Sequence, residues 1–302
     1  MKLINRKSIT YRFSPDVPPV LKVKPGETII FETHDCFTGQ IKSESDLVTS
    51  VDFSRVNPAT GPLEVEGAEP GDVLLVEIGR IEVEERGIMV ALPGEGAFGN
   101  RIKKPLTRLI EISGGKFQLI PGLSLNLNPM IGVIGVSPAE GSFPCGEIGD
   151  HGGNLDAKII RDGARVYFKV NRKGAMLSMG DVHAGMGDGE ALICGVEVPA
   201  KVEVTVNLIK SPKYKPPRPV VELGDIFATI GHGPTLDAAG ITALNDMLEL
   251  LIYKKGISLE EAAMLISATG DLRVCQIVDP QKTARVEMPR ESLSGMESPL
   301  FI

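Results

Sequence analysis

The sequence predicts a mainly β fold: a jelly-roll-like β-sandwich followed by a C-terminal α+β extension. Three observations lead to this class: abundant turn residues, β-branched runs behind those turns, and helical periodicity only near the C-terminus. The chain has 34 glycines and 22 prolines among 302 residues, well above their roughly 12% combined share in average proteins. No repeat or low-complexity tract contains them, so they indicate turns between many short strands.

Turn sequences precede three of the predicted strands. Residues 24–27 (Lys-Pro-Gly-Glu) lead into 28–33, and residues 69–72 (Glu-Pro-Gly-Asp) lead into 73–78. Proline presets φ for a turn, and glycine supplies a positive φ before the β-branched run. A looser turn precedes a third run at 165–170. We therefore predict a strand at each of these runs.

Strict alternation predicts another strand between residues 196 and 208. The side chains of one face are all small or aliphatic: Val198, Ala200, Val202, Val204, Val206 and Leu208. The intervening residues are mostly polar, and this period of two is the signature of a half-buried strand. Together with the recurrent turns, it predicts a sandwich domain over residues 1–210 that carries the functional site.

The pattern changes after a basic, proline-rich stretch at residues 210–218, which we interpret as a solvated linker. Residues 219–302 then combine two helical patterns with a strand pattern at 272–278. Two helices make a thin core for an independent domain. We therefore predict an α+β C-terminal subdomain over 219–302 that packs on the sandwich.

Both predicted helices have recognisable ends. Thr235 can cap the first, and Gly256, just after two lysines, supplies its C-terminal stop. Ser258 and Glu261 form an S-x-x-E capping box for the second helix, which we expect to end near Gly270.

Composition limits the function. A formal net charge of −7 argues against a nucleic-acid partner, which would need clustered lysine and arginine. The N-terminus lacks the apolar run of a signal peptide, and no stretch reaches the roughly 18 consecutive apolar residues that a membrane span requires. Four cysteines without paired spacing favour free thiols in a reducing compartment. We expect a cytoplasmic protein and, from base rates alone, a homodimer.

The four histidines lie among glycines and acidic residues. In the predicted strand 177–183, Asp181 and His183 are two residues apart and so point to the same face. One oxygen and one nitrogen ligand suit zinc and related divalent metals, so we predict a divalent metal cofactor, with zinc as first choice. Asp35, at the end of another predicted strand, is the third predicted ligand. His34 would face the other way in a regular strand, so both residues could bind the ion only if the strand had a bulge. At this spacing, a carboxylate that only orients a histidine is the alternative.

Two glutamates in glycine-rich segments, Glu147 and Glu190, are the predicted catalytic residues. General acid–base catalysis of hydrolysis needs a base to activate water and an acid to protonate the leaving group. The Gly-Gly-Asn turn that ends at Asn154 could aim backbone N–H groups at a developing oxyanion. We expect His34, His151 and Asn154 to position the substrate.

Several segments together resemble the acetamidase/formamidase family. They are residues 34–41 (HDCFTGQI), 57–62 (NPATGP), 65–68 (VEGA), 149–156 (GDHGGNLD), 180–183 (GDVH) and 187–190 (GDGE). The resemblance implies a jelly-roll-like sandwich with an α+β tail that hydrolyses formamide, acetamide or related short amides. It also implies that Asp35, Asp181 and His183 are site positions. Residues 184–186 (Ala-Gly-Met) depart from the larger or more polar residues expected there, which bears on the identity of the substrate.

Other functions remain open at this level. Cys145 or Cys36 could serve a thiol-dependent amidase, since each lies near a carboxylate or a histidine. The Asp-x-His pair also resembles the metal-binding strand of cupins, although this chain lacks their paired histidines there. A non-catalytic sandwich that binds sugars is disfavoured by the absence of tryptophan and by 5% aromatic content.

Overall fold

The structure, a computed structural model, describes residues 1–293 and 300–301. Its strands in these ranges, numbered in chain order, are β1 (Lys2–Ile4), β2 (Ile9–Thr10), β3 (Arg12–Phe13), β4 (Leu21–Val23), β5 (Thr28–Thr33), β6 (Ala59–Val65), β7 (Val73–Val83), β8 (Arg86–Ala91), β9 (Leu106–Ser113), β10 (Lys116–Ile120), β11 (Leu123–Asn126), β12 (Met130–Gly135), β13 (Phe143–Pro144), β14 (Ile148–Gly149), β15 (Gly152–Asn154), β16 (Arg165–Lys169), β17 (Leu177–His183), β18 (Ala200–Ile209), β19 (Val220–Leu223), β20 (Ile226–Gly233), β21 (Asp271–Gln276) and β22 (Lys282–Pro289). The α-helices are α1 (Leu236–Lys255) and α2 (Leu259–Thr269), and short 3-10 helices cover Val48–Ser50, Phe53–Arg55 and Arg290–Leu293.

Two large sheets make up most of the molecule. The nine-stranded sheet runs in the order β1-β5-β18-β7-β16-β19-β20-β22-β21. The seven-stranded sheet runs in the order β14-β15-β12-β17-β6-β2, with β4 also paired to β6. A four-stranded sheet, β11-β10-β9-β8, and the pair β13-β3 complete the described strands. The predicted class, mainly β with a C-terminal α+β extension, is confirmed.

One hydrophobic core contains side chains from both large sheets. Phe31 of β5 and Val204 of β18 belong to it together with Leu63 of β6 and Ile134 of β12. Each of these four is fully buried, which stabilises the fold by roughly 1.5–3 kcal/mol per large aliphatic or aromatic side chain. The alternation predicted for β18 is also observed, since its apolar face lies in this core while Glu203 is half-buried on the other face.

The C-terminal segment extends the nine-stranded sheet. β19 pairs with β16, and β20 pairs with β22 in turn, so the hydrogen-bonded ladder runs across the predicted boundary between residues 210 and 219. Helix α1 packs against β20 and β22 and buries a second core around Met247 and Leu250. The division into two domains stays a prediction. No helix in the described part of the chain is long and apolar enough to cross a bilayer.

The predicted helix ends are confirmed. The Thr235 side chain accepts a hydrogen bond from the Ala238 N–H at 3.2 Å, and Gly256 ends α1 with a left-handed φ of 63°. Ser258 and Glu261 form both bonds of the capping box at the start of α2. These local partners satisfy backbone groups that a helix end otherwise leaves open.

Candidate active site

A cavity of about 210 Å³ lies between the end of β17 and loops from four other parts of the chain. One wall is acidic and consists of Asp181, Glu190, Glu197 and Asp279. The apolar wall consists of Phe37, Val48, Phe53, Val56, Val90 and Ile193. Asn154, Cys36 and Cys194 also line it. A concave apolar pocket with a few converging polar groups is the usual form of a small-molecule site.

Asp181 lines this cavity, and His183 lies beside it, as the spacing in β17 predicts. Both are buried, and Asp181 Oδ1 lies 3.6 Å from His183 Nε2. Glu197 is closer still, with its Oε1 3.0 Å from the same nitrogen. β17 pairs with β12 in a single register, but the pairing skips Gly132 and Asp181 between the pairs Ile131–Val182 and Val133–Gly180. Asp181 itself has a left-handed φ of 53°.

Asp156 joins this pair because β12 carries a glycine beside it. A Cβ atom at Gly132 would lie 2.6 Å from both Asp156 Oδ1 and Asp181 Oδ2. Such distances are far inside van der Waals contact, so any larger residue at position 132 would displace the two carboxylates. The glycine therefore makes room for two acidic side chains at one point.

Two groups of potential ligand atoms result. Asp156, His183 and Glu190 form the first, and Cys36, Asp181 and Glu197 form the second; within each group the ligand atoms lie within 4.8 Å of one another. Three of these carboxylate residues have left-handed backbone angles: Asp156 at 43°, Asp181 at 53° and Glu190 at 44°. Such conformations cost about 1–3 kcal/mol each and tend to cluster at functional sites.

The electrostatics follow from crowding acidic groups in a buried space. Burial, and then the other carboxylates, raise the pKa of Asp156 and of Glu190 well above their ordinary values. Burial also raises the pKa of Glu197 to about 7 and that of Asp279 to about 6. Burial alone would lower the pKa of His183, but Glu197 and Asp181 raise it well above its usual range. A cation in this space would be strongly favoured.

Buried polar atoms at the site have no hydrogen-bond partner. They are Nδ1 of His183, Oδ1 of Asp156, Oε2 of Glu197 and Oδ1 of Asn154. Leaving such groups unpaired costs about 1–3 kcal/mol each, more for charged ones. A mixed set of imidazole nitrogen and carboxylate oxygen suits zinc and related divalent ions. The residues present therefore fit a divalent cation.

The C-terminal hairpin β21–β22 holds one edge of the cavity. Gly189 bridges to Gln276: its N–H donates to the Cys275 carbonyl at 2.8 Å, and its carbonyl accepts from the Ile277 N–H at 3.1 Å. Arg285, only 1% exposed, donates two hydrogen bonds to the Asp188 carboxylate at 2.8 and 3.0 Å. The loop that presents Glu190 is thus fixed to the hairpin through both the Gly189 backbone and the Asp188 side chain.

The structure does not bring Asp35 into either ligand group. β5 ends at Thr33, so the alternation of faces no longer applies, and the chain turns. The Asp35 carboxylate accepts the backbone N–H groups of Phe37 and Gly39, at 2.9 and 3.2 Å. Cys36, the next residue, reaches the cavity instead.

Three other predicted site residues lie outside both the cavity lining and the two ligand groups. Glu147 is exposed, so of the two predicted catalytic glutamates only Glu190 lies at the site. His34 is half-buried. His151 is buried between Phe13 and Phe143, with ring centroids 5.1 and 4.9 Å away, and burial lowers its pKa to about 4. Asn154, in contrast, lines the cavity as predicted.

Sequence reasoning missed three acidic residues of the site. Asp156 ends the segment 149–156 and was visible as part of that pattern. Glu197 lies just before β18, and an isolated β-bridge pairs it with His183. Asp279 carries no signal of its own, since it is a single acidic residue in a turn far along the chain from the other acidic residues of the site.

The sequence profile described as the Acetamidase/Formamidase family matches residues 2–143 and 146–293. The chain belongs to the acetamidase/formamidase family. A formamidase of Methylophilus methylotrophus is 28% identical over 93% of this chain and 88% of its own length. The solved structure of an acetamidase from Bacillus halodurans superposes with a TM-score of 0.93 at 45% identity, covering 95% of this chain and 97% of that one. A gamma lactamase from Delftia acidovorans superposes less closely, with a TM-score of 0.69 at 25% identity over 96% of this chain and 90% of that one.

Membership of the acetamidase/formamidase family confirms the predicted enzyme class, a hydrolase acting on the C–N bond of linear amides. The acidic wall of the cavity comes from both the N-terminal sandwich and the C-terminal hairpin.

Proposed function

We propose that this enzyme cleaves short aliphatic amides of the formamide and acetamide type to a carboxylate and ammonia, assisted by a divalent cation, with zinc as first choice. The observation that carries the proposal is the convergence of Asp156, Asp181, Glu190 and His183 beside a cavity that also has apolar lining residues. The names of its relatives, formamidase and acetamidase, support the substrate class.

Asp156, Asp181 and His183 would hold the cation. Two of them are the residues that the sequence predicts, and Asp156 takes the place predicted for Asp35. When bound, a divalent cation would polarise the amide carbonyl and make water more acidic. The protein's part is to bring two carboxylates and one imidazole to one point, which Gly132 permits by leaving that space free.

Glu190 is the proposed proton-transfer residue. It is 7% exposed and lies within 4.8 Å of ligand atoms of Asp156 and His183. From there its carboxylate can take a proton from the attacking water and return it to the nitrogen, which leaves as ammonia rather than as an amide anion. The apolar wall around Phe37 and Val90 receives the acyl group and limits the entry of further water.

A thiol nucleophile fits this structure poorly. Burial and the nearby Glu197, Asp181 and Asp35 raise the pKa of Cys36 well above its ordinary value, so the thiol stays neutral. Burial raises the pKa of Cys145 to about 12, and its Sγ faces the Thr10 carbonyl at 3.6 Å. A nucleophilic cysteine needs the opposite, an environment that stabilises the thiolate.

Metal analysis combined with ammonia release from formamide and acetamide tests the proposal. We expect about one or more divalent ions per chain, loss of turnover on chelation, and recovery when zinc is restored. His183→Ala should lower metal content and turnover together, whereas Cys145→Ala should leave both unchanged. Turnover that survives complete metal removal and disappears in Cys36→Ala or Cys145→Ala would favour the thiol mechanism. The cytoplasmic location and the homodimer stay predictions.

A further inference from the structure

The C-terminal hairpin adds a polar pair to the cavity that the cation and proton-transfer roles leave unused. Asn154 of β15 donates through Nδ2 to Asp279 Oδ2 at 2.7 Å. Because only the nitrogen end of an amide can donate to a carboxylate, this bond fixes the orientation of the Asn154 side chain. Both residues line the cavity beside Asp181 and Glu190.

The pair offers two acceptor oxygens to a bound molecule. Asn154 is 4% exposed, and its Oδ1 is buried without a hydrogen-bond partner. The second oxygen of Asp279, Oδ1, does not take part in the bond from Asn154. Two acceptor oxygens from residues that line one cavity match a group with two N–H donors, and the nitrogen of an unsubstituted amide is such a group.

Asp279 is held in place by a buried glutamine. Gln276 is fully buried, and its Oε1 accepts the backbone N–H groups of Val278 and Asp279, both at 2.9 Å. Its Nε2 donates to the Gln281 carbonyl at 2.6 Å, which closes the turn. Preorganised acceptors of this kind discriminate well, because a ligand that lacks a donor leaves a buried acceptor unpaired.

We propose that Asn154 and Asp279 form a subsite for the amide nitrogen that selects primary over N-substituted amides. The proposal rests on the proposed function and adds specificity-determining residues to it. Two N–H groups of a primary amide bond to Asn154 Oδ1 and Asp279 Oδ1, and the acyl group then lies toward the apolar wall. An N-methyl amide has one donor fewer and places a methyl group against a charged carboxylate.

The experiment compares kcat/KM for acetamide and N-methylacetamide, with acetate, the product common to both, as the readout. The metal-loaded wild-type enzyme should prefer acetamide strongly. In Asp279→Ala the preference should fall about tenfold or more, because one unpaired acceptor is removed and space for the methyl group is created. Asp271→Ala, an exposed acidic residue at the other end of β21, should leave the preference unchanged.

Asp279→Asn keeps the size of the side chain and presents an N–H donor, so it should also lower the ratio of kcat/KM for acetamide to that for N-methylacetamide. This variant provides the test if the alanine variant does not fold. The proposal is overturned if wild type hydrolyses both amides equally, or if both Asp279 variants lower the two rates by the same factor. Hydrolysis of acetamide would leave the proposed function standing in those cases. If wild type releases acetate from neither substrate, the proposed function and the subsite both fall.

Discussion

The C-terminal helices and the acidic cavity treat polar groups in opposite ways. At the starts of α1 and α2, side chains close in sequence satisfy open backbone groups, through Thr235 in one case and the Ser258–Glu261 box in the other. At the cavity, His183 and Asp156 keep buried polar atoms unpaired. The first arrangement stabilises the chain by itself. The second destabilises it until something binds, which is the usual relation between a site and its scaffold.

Of the substitutions that test this comparison, Glu190→Gln should have the largest effect, which is on turnover. Glutamine has the same shape but cannot transfer a proton, so kcat should fall by roughly 10²–10⁴-fold. The folded state raises the pKa of Glu190. The stability that its protonated carboxyl group contributes is therefore fully present below the unfolded pKa and is lost as pH rises through the folded pKa. At neutral pH, the chelated variant should therefore unfold at a higher temperature than chelated wild type.

Ammonia release and thermal unfolding after chelation measure these two effects. Glu203→Gln is the matched control, because Glu203 is half-buried on the outer face of β18, away from the cavity. It should change neither quantity appreciably. A large drop in the unfolding temperature of Glu190→Gln would show that the acidic cluster stabilises the empty protein, and the contrast between the two regions would be lost.

Arg285→Met tests the connection between the two regions. Arg285 is nearly inaccessible and pairs with Asp188 and Glu287. Removing one partner of a buried ion pair leaves uncompensated charge and typically costs about 3–5 kcal/mol. Because Asp188 belongs to the loop that presents Glu190, amide turnover should also fall in protein that is still folded.

Urea unfolding and ammonia release measure the two consequences. Arg273→Met, on the neighbouring strand, is the control, since Arg273 is 47% exposed and its pairs contribute less than about 1 kcal/mol. Equal losses of stability in both variants would mean that the hairpin contacts the loop without holding it.

The same contrast explains how far the sequence predicts the structure. β5 and β17 have the predicted bounds, and the caps of α1 and α2 lie where expected, because turn sequences, side-chain periodicity and capping patterns are local. The prediction of Asp35 as a metal ligand relies on its position at the end of a strand, whereas β5 ends two residues earlier, at Thr33. The chain had already left β5, and its carboxylate bonds to amides within its own loop.

The acidic wall could not be assembled from the sequence for a different reason. Asp156, Glu197 and Asp279 lie in separate segments and meet only because β12, β17 and the β21–β22 hairpin are brought together by sheet pairing and bridges. Their left-handed or irregular backbone also breaks the periodicity on which the prediction depends, as the φ of 43° at Asp156 shows. Local rules fail where long-range packing enforces a strained conformation.

Ser258→Ala should give the smallest effect and tests the local side of the comparison. The Ser258 hydroxyl accepts the Glu261 N–H at 3.2 Å, while the Glu261 carboxylate accepts the Ser258 N–H at 2.9 Å. Loss of such a cap costs about 1 kcal/mol, so unfolding in urea should shift modestly, and Ser258→Asp should restore most of the loss. Amide turnover should not change, because α2 contributes no residue to the cavity lining. If turnover fell in a variant that remains folded, the start of α2 would influence the cavity. The stability of this helix could then not be treated separately from the site.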